Sequence, residues 1–225
     1  MGDRSVFDRV DSNPAAPTTN SHIPSFKVIL VGEVGVGKTA LFMRARDTRR
    51  HGPRENHACT IGVDSCVRTF ATKKGSVTLT LWDTAGVERF RTLTRNYYRN
   101  THAALLVFSL DDPTSLFYLP RWEKDVMESA PDAVKFLVGN KGDLDRMVTK
   151  VSMQNFAAAH GCQAAFLTSA QTGEGVEEAL TALCEYLVTK HQHQGKMADS
   201  DRAWMLGSGL HVHNGDEHEK KTCCG

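Results

Sequence analysis

An α/β fold with a mostly parallel six-stranded sheet, flanked by helices on both faces, follows from two features of the sequence. Short apolar runs alternate with helix-like segments along most of the chain, and the first apolar run enters a glycine-rich turn of the pattern GxxxxGK[ST]. The alternation places strands at about 26–31, 62–71, 76–82, 103–109, 134–139 and 164–167, and helices at about 38–46, 114–129, 152–160 and 175–190. Crossover helices then make neighbouring strands parallel, and ligands belong at the strands' carboxyl ends. A length of 225 residues suits one domain of about 160 to 180 residues with tails. The composition divides it into a flexible arm over 1–25, rich in Asn, Pro, Ser and Thr, a folded unit over 26–190, and a flexible polar tail over 191–225. Pro120 lies inside the 114–129 helical pattern and is expected to mark its first turn or to kink it.

The first strand, Val28–Val31, leads into Gly32, Glu33, Val34, Gly35, Val36, Gly37, Lys38 and Thr39. A strand followed by such a turn and then a helix gathers backbone N–H groups and a helix N-terminus around one anion, here a nucleotide phosphate. Lys38 would reach the β- and γ-phosphates as a point charge, and the Thr39 hydroxyl would help coordinate a Mg²⁺ bridging them. The apolar strand 79–82 ends on Asp83, before Thr84, Ala85 and Gly86. That carboxylate is placed to meet the same ion, while a glycine at 86 lets its N–H approach the γ-phosphate. After the run Val134–Val138 come Asn140, Lys141, Gly142 and Asp143. A carboxylate at 143 accepts two hydrogen bonds from the guanine N1 and exocyclic amine, a donor pair that adenine lacks, so it selects GTP over ATP.

Bulk properties narrow the class. A formal charge of +1 and a pI near 7.7 argue against a broad nucleic-acid-binding surface, and no nucleic-acid partner is expected. The sequence has neither a run of about 18 apolar residues nor an apolar leader, so it is expected neither to span a membrane nor to enter the secretory route. Cys59, Cys66, Cys162 and Cys184 are scattered without zinc-ligand spacing, whereas Cys223 and Cys224 are adjacent near the end. His191, His193, His211, His213 and His218 lie in the polar tail, where no fixed geometry would hold a metal. Gly2 follows Met1, but Val6 stands where a myristoylation pattern needs Ser or Thr.

In order, GEVGVGKT, TIGVD, WDTAG, NKGD and TSAQTG resemble the five nucleotide motifs of the Ras superfamily. The flanks Glu88–Arg91 and Tyr97–Arg99, with the terminal double cysteine, resemble the Rab branch specifically. The resemblance spans about residues 26–190 and implies a small-GTPase fold and a switch in vesicle traffic. Such a switch hydrolyses GTP to GDP and phosphate with Mg²⁺, and recruits effector proteins when GTP-bound. It further implies an exchange factor, a GTPase-activating protein, a GDP-dissociation inhibitor and a prenylation escort. By the same resemblance Thr60 ligates Mg²⁺ and senses the γ-phosphate, and Ser169 and Ala170 contact the guanine. Gln171 stands where the family usually has Lys.

Other departures concern catalysis. Val87 replaces the glutamine that orients the attacking water, and Val34 replaces a small residue beside the γ-phosphate. Both predict very weak intrinsic hydrolysis; the competing reading is that both valines are tolerated packing residues in a slow but working enzyme. Between Thr39 and Thr60 the chain is longer than in common relatives and carries Arg49, Arg50, His51, Pro53 and Arg54. That segment is either a mobile basic switch loop that retains nucleotide less tightly or a solvated insertion. Ser65 replaces a phenylalanine of the effector-facing aromatic patch.

The terminus Lys220, Lys221, Thr222, Cys223, Cys224, Gly225 is similar to doubly prenylated Rab tails, with no CaaX box. Geranylgeranyl groups on both cysteines would hold the protein on the cytoplasmic side of an intracellular membrane, with a cytosolic pool, since one lipid anchors only marginally. Tail lysines and arginine are offset by Asp199, Asp201, Asp216, Glu217 and Glu219, so charge does not substitute for lipid. Leu210 and Val212 resemble the short apolar motif that engages the escort. Two readings stand beside the switch: a GTP-locked or nucleotide-poor scaffold of the same fold, and an ATP-dependent P-loop kinase that Asp143 disfavours.

Overall fold

The computed structural model describes residues 23–47, 63–84 and 96–207, with side chains as far as residue 192. Thr60, Gly86, Val87, Cys223 and Cys224, the 48–59 segment, the N-terminal arm as far as residue 22 and the end of the tail lie outside the described residues.

Strands β1 (Ser25–Val31), β2 (Val63–Thr72), β3 (Gly75–Thr84), β4 (Ala103–Ser109), β5 (Val134–Asn140) and β6 (Ala164–Leu167) form one sheet in the order β2-β3-β1-β4-β5-β6. All neighbours are parallel except β2 and β3, which form an antiparallel hairpin at one edge. The six-stranded, mostly parallel sheet is thus the one expected from the sequence.

Buried parallel strands read as unbroken apolar runs because both faces are covered. Alternate residues of β1 show the division. Phe26, Val28 and Leu30 join a core with helices α1 (Lys38–Arg46) and α5 (Val176–Gly207), through Leu41, Phe42, Leu183 and Leu187. Ile29 and Val31 join a second core on the opposite face, built with Trp122 and Val126 of α3 (Leu119–Ser129) and Met153 and Ala157 of α4 (Lys150–Ala159).

The 114–129 pattern is divided. A short helix, α2 (Pro113–Phe117), is capped by the Asp112 carboxylate, which accepts from the Thr114 N–H at 2.9 Å, and α3 starts anew with Pro120 in its first turn. Proline there costs nothing because its missing N–H would have no intrahelical partner. Thr149 caps α4 by accepting from the Ser152 N–H at 3.1 Å. The largest difference is α5, which continues to Gly207, well past the expected end at about 190 and into the segment read as a flexible tether. Its apolar periodicity fades there, yet Gln192, Lys196, Met197, Ala198, Arg202 and Ala203 all favour helix.

Cys66, Cys162 and Cys184 are free, and burial pushes the thiols of Cys162 and Cys184 up to about 11 and about 12. Both are inert apolar groups at neutral pH. Among the described residues no cluster of His, Cys, Asp and Glu could hold a metal ion, and no helix is long and apolar enough to cross a membrane.

Candidate nucleotide-binding site

The loop from Gly32 to Gly37 joins the carboxyl end of β1 to α1 at the sheet centre. Backbone geometry enforces its glycines. Gly32 has φ +147, and a Cβ there would stand 2.1 Å from the Val107 carbonyl oxygen; at Gly37, φ +93, a Cβ would meet the Asn140 amide nitrogen at 2.3 Å. Gly37 caps α1 without any side-chain acceptor, so the first-turn N–H groups carry no capping side chain. Lys38 is only 5% exposed, and its Nζ donates to the carbonyls of Gly32 at 2.9 Å and Glu33 at 2.7 Å. The ammonium is thereby held across its own loop, the arrangement a phosphate-binding lysine needs.

Asp83, the last residue but one of β3, is in register with Leu30 of β1, one residue before Val31 and the loop, and is 1% exposed. Thr39 lies in the first turn of α1. A buried carboxylate and a hydroxyl at the ends of neighbouring elements form a hard oxygen donor set that fits Mg²⁺.

Asn140, also 1% exposed, joins the loop to the opposite wall. Its Nδ2 donates to the Val36 carbonyl at 2.9 Å, and its Oδ1 accepts from the Ala170 N–H at 3.0 Å. Asp143 is exposed, and its Oδ1 accepts from the Ser169 hydroxyl at 2.5 Å. Lys141 adopts a left-handed backbone, φ 62, and its Nζ lies 3.6 Å from the Asp111 carboxylate. The Ser109 hydroxyl and this lysine hold the Asp111 carboxyl below its usual range. The structure therefore brings Gly32–Thr39, Asp83, Asn140, Lys141, Asp143, Ser169, Ala170 and Gln171 to one end of the sheet.

Val34 is 51% exposed at the loop surface and is not a core residue. Two members of the expected aromatic patch meet, with Trp82 and Tyr97 ring centroids 5.8 Å apart, while Ser65 pairs with Trp82 across the hairpin.

Two features had no signature in the motifs. Arg44, 8% exposed on α1, donates Nε to the Ala170 carbonyl at 3.0 Å and Nη2 to the Gln171 carbonyl at 2.5 Å. It holds the TSAQTG loop from outside, and the only sequence clue is a cation on an otherwise apolar helix face. Glu33 accepts from Trp122 Nε1 at 2.6 Å and lies 3.3 Å from Arg121 Nε, so α3 grips the phosphate loop through its side chain. A lysine reproduces the charge of Arg44 but not its planar pair of donors. Arg44→Lys is expected to speed release of a fluorescent GDP analogue about tenfold, measured by chase with excess GDP, since a hydrogen bond from a charged donor is worth about 1.5–3 kcal/mol.

Comparisons with known proteins agree with this geometry. The model of the Ras family matches residues 27–189. Ras-related protein Rab-15 of Rattus norvegicus is 36% identical over 172 residues, 75% of this chain and 79% of its own. GTP-binding protein YPTM2 of Zea mays is 34% identical over 203 residues, 88% of this chain and 95% of its own. Ras-related protein Rab-13 of Bos taurus is 36% identical over 168 residues, 73% of this chain and 81% of its own. A P-loop on a mostly parallel sheet, with an NKGD loop beside it, defines a small GTPase. The chain belongs to the Ras family and, within it, to the Rab group of GTPases.

Proposed function

We propose that the protein is a lipid-anchored guanine-nucleotide switch of vesicle traffic whose own hydrolysis of GTP is very weak. The observation that carries the nucleotide assignment is the Asn140 side chain. It binds the phosphate loop on one side and the Ser169–Gln171 loop on the other, so phosphate and base recognition are built as one unit. In this reading Lys38 and the loop N–H groups bind the β- and γ-phosphates, Asp143 selects guanine, and Ser169, Ala170 and Gln171 line the base. When bound, Mg²⁺ would be held by Thr39, Thr60 and Asp83 and would neutralise charge on the β- and γ-phosphates. Hydrolysis is in-line attack of water on the γ-phosphate, and it calls for a side chain that orients that water. Val87 supplies no hydrogen bond for this role, and Val34, exposed at the loop, obstructs the space that an activating protein's arginine or glutamine must enter.

The partners follow from the family: an exchange factor, an activating protein, effectors, and a GDP-dissociation inhibitor and escort acting on geranylgeranylated Cys223 and Cys224. The site of action is then the cytoplasmic face of an intracellular membrane, with a cytosolic pool. The exposure of Val34 favours a second reading, a scaffold held permanently with GTP. Nucleotide released by heat from freshly purified protein, resolved by ion exchange, tests the assignment: guanine nucleotide is expected, with GTP above GDP. Predominant GDP would mean that hydrolysis survives both valines, and adenine nucleotide would overturn the guanine assignment.

A further inference from the structure

At the end of the sheet opposite the phosphate loop, where β1 begins and α5 leaves the domain, lies a cavity of about 460 Å³. The seven residues of β1 set it about 20 Å from the loop. Six of its lining side chains are hydrogen-bond donors, Ser25, Lys74, Ser76, His102, His191 and Gln192, and none of the described lining residues is acidic. We propose that this cavity is a second anion site, separate from the nucleotide site, that takes a phosphate-bearing ligand.

The donors are held in place. His102 Nδ1 accepts the Lys27 backbone N–H at 3.0 Å, which leaves the imidazole proton on Nε2 as a donor. The buried Phe26 ring meets both imidazoles edge-on, with centroids 5.4 Å from His102 and 5.8 Å from His191. Lys74 Nζ donates to Thr189 Oγ1 at 2.9 Å, and that hydroxyl's own proton goes to the Glu185 carbonyl at 2.7 Å. The ammonium is thereby fixed at the rim with further protons to offer.

The charges around His102 share one sign. His191 and Lys190 face it from α5 and Lys27 from β1, with Lys74 on the β2–β3 turn lining the same cavity; Lys190 itself is held by the Asp132 backbone carbonyl at 2.9 Å. Desolvation first, and then His191, Lys27 and Lys190, push the pKa of the His102 imidazole below the usual histidine range. The ring is thus held neutral, and a seated anion would accept the Nε2 proton while offsetting the positive charge around it. The volume accommodates a phosphate with a small organic group attached. Pro24–Phe26 and His191–Gln192 lie outside the 27–189 interval matched by the family model.

Either an anionic lipid headgroup or a soluble phosphate carries this chemistry, and the test separates them. Full-length protein saturated with GDP and Mg²⁺ is titrated with inorganic sulfate at pH 7.5, while the histidine Cε1–H signals are followed by NMR. Saturable shifts of His102 and His191 are expected, with sulfate bound about tenfold weaker by Lys74→Gln. Pelleting of the unprenylated protein with phosphatidic acid vesicles, lost in Lys74→Gln, assigns the site to a lipid headgroup; sulfate binding without vesicle binding assigns it to a soluble phosphate. Linear, unsaturable shifts, or equal shifts in Lys74→Gln and His191→Gln, would reduce the site to counterion screening and overturn the proposal. Because the signals report on the cavity itself, the outcome is independent of the nucleotide assignment.

Discussion

A chain carrying both Val34→Gly and Val87→Gln is expected to hydrolyse GTP about 10- to 100-fold faster than the unaltered chain, measured as single-turnover phosphate release. The glutamine restores a group that can hold the attacking water in line, and positioned groups of this kind contribute about 10²–10⁴ in rate. The glycine acts differently. Val34 is exposed at the loop rather than packed in the core, so removing its side chain opens the surface without leaving a cavity. With a Rab-type activating protein added, the glycine is therefore expected to matter more, because an arginine supplied in trans is worth about 10³–10⁵. Equal rates for the altered and unaltered chains, with and without the activating protein, would remove the two valines as the cause of slow turnover.

Asp143→Asn is expected to weaken GDP binding about 10³-fold and to raise the affinity for xanthosine diphosphate. The carboxylate offers acceptors only, and one of its oxygens already takes the Ser169 hydroxyl. An amide at this position places a donor against the guanine amine and leaves a polar pair unmatched, the situation in which sites discriminate most strongly. Xanthine presents a carbonyl where guanine presents the amine, and the amide N–H matches it. Asp143 is exposed, so the fold tolerates the change. Competition between the two diphosphates for the fluorescent analogue measures the ratio, and an unchanged ratio would mean that the base is read elsewhere.

Most of the sheet and one side of the site were legible from the sequence because they depend on local signals. Apolar runs mark buried parallel strands, and a glycine turn between a strand and a helix has few other uses. Lys38, Asp83, Asn140 and Asp143 each follow such a run, so a parallel arrangement of the strands was enough to put them at one end of the sheet. What could not be read are contacts between residues far apart in the chain. Arg44 meets the Ala170 and Gln171 carbonyls across more than a hundred residues, and Glu33 meets Trp122 across nearly ninety. No periodicity announces such pairs, because each is satisfied by a partner that only the fold supplies. The far end of α5 was missed for the opposite reason. Its helical backbone is continuous, but the apolar stripe used to recognise a helix stops where the helix leaves the domain.

That continuation changes how an anchored domain would meet its surroundings. From His191 to Gly207 the helix adds about 25 Å at 1.5 Å per residue. A coil of the same length lets a domain wander and touch the bilayer in any pose, whereas a helix acts as a strut whose base is bolted to the core by Leu183 and Leu187. Fifteen residues, 208–222, separate Gly207 from the two cysteines in the sequence. Tilting the strut swings the whole domain as one lever, so a partner that grips the far end of α5 would steer the nucleotide face toward or away from the lipid without touching it.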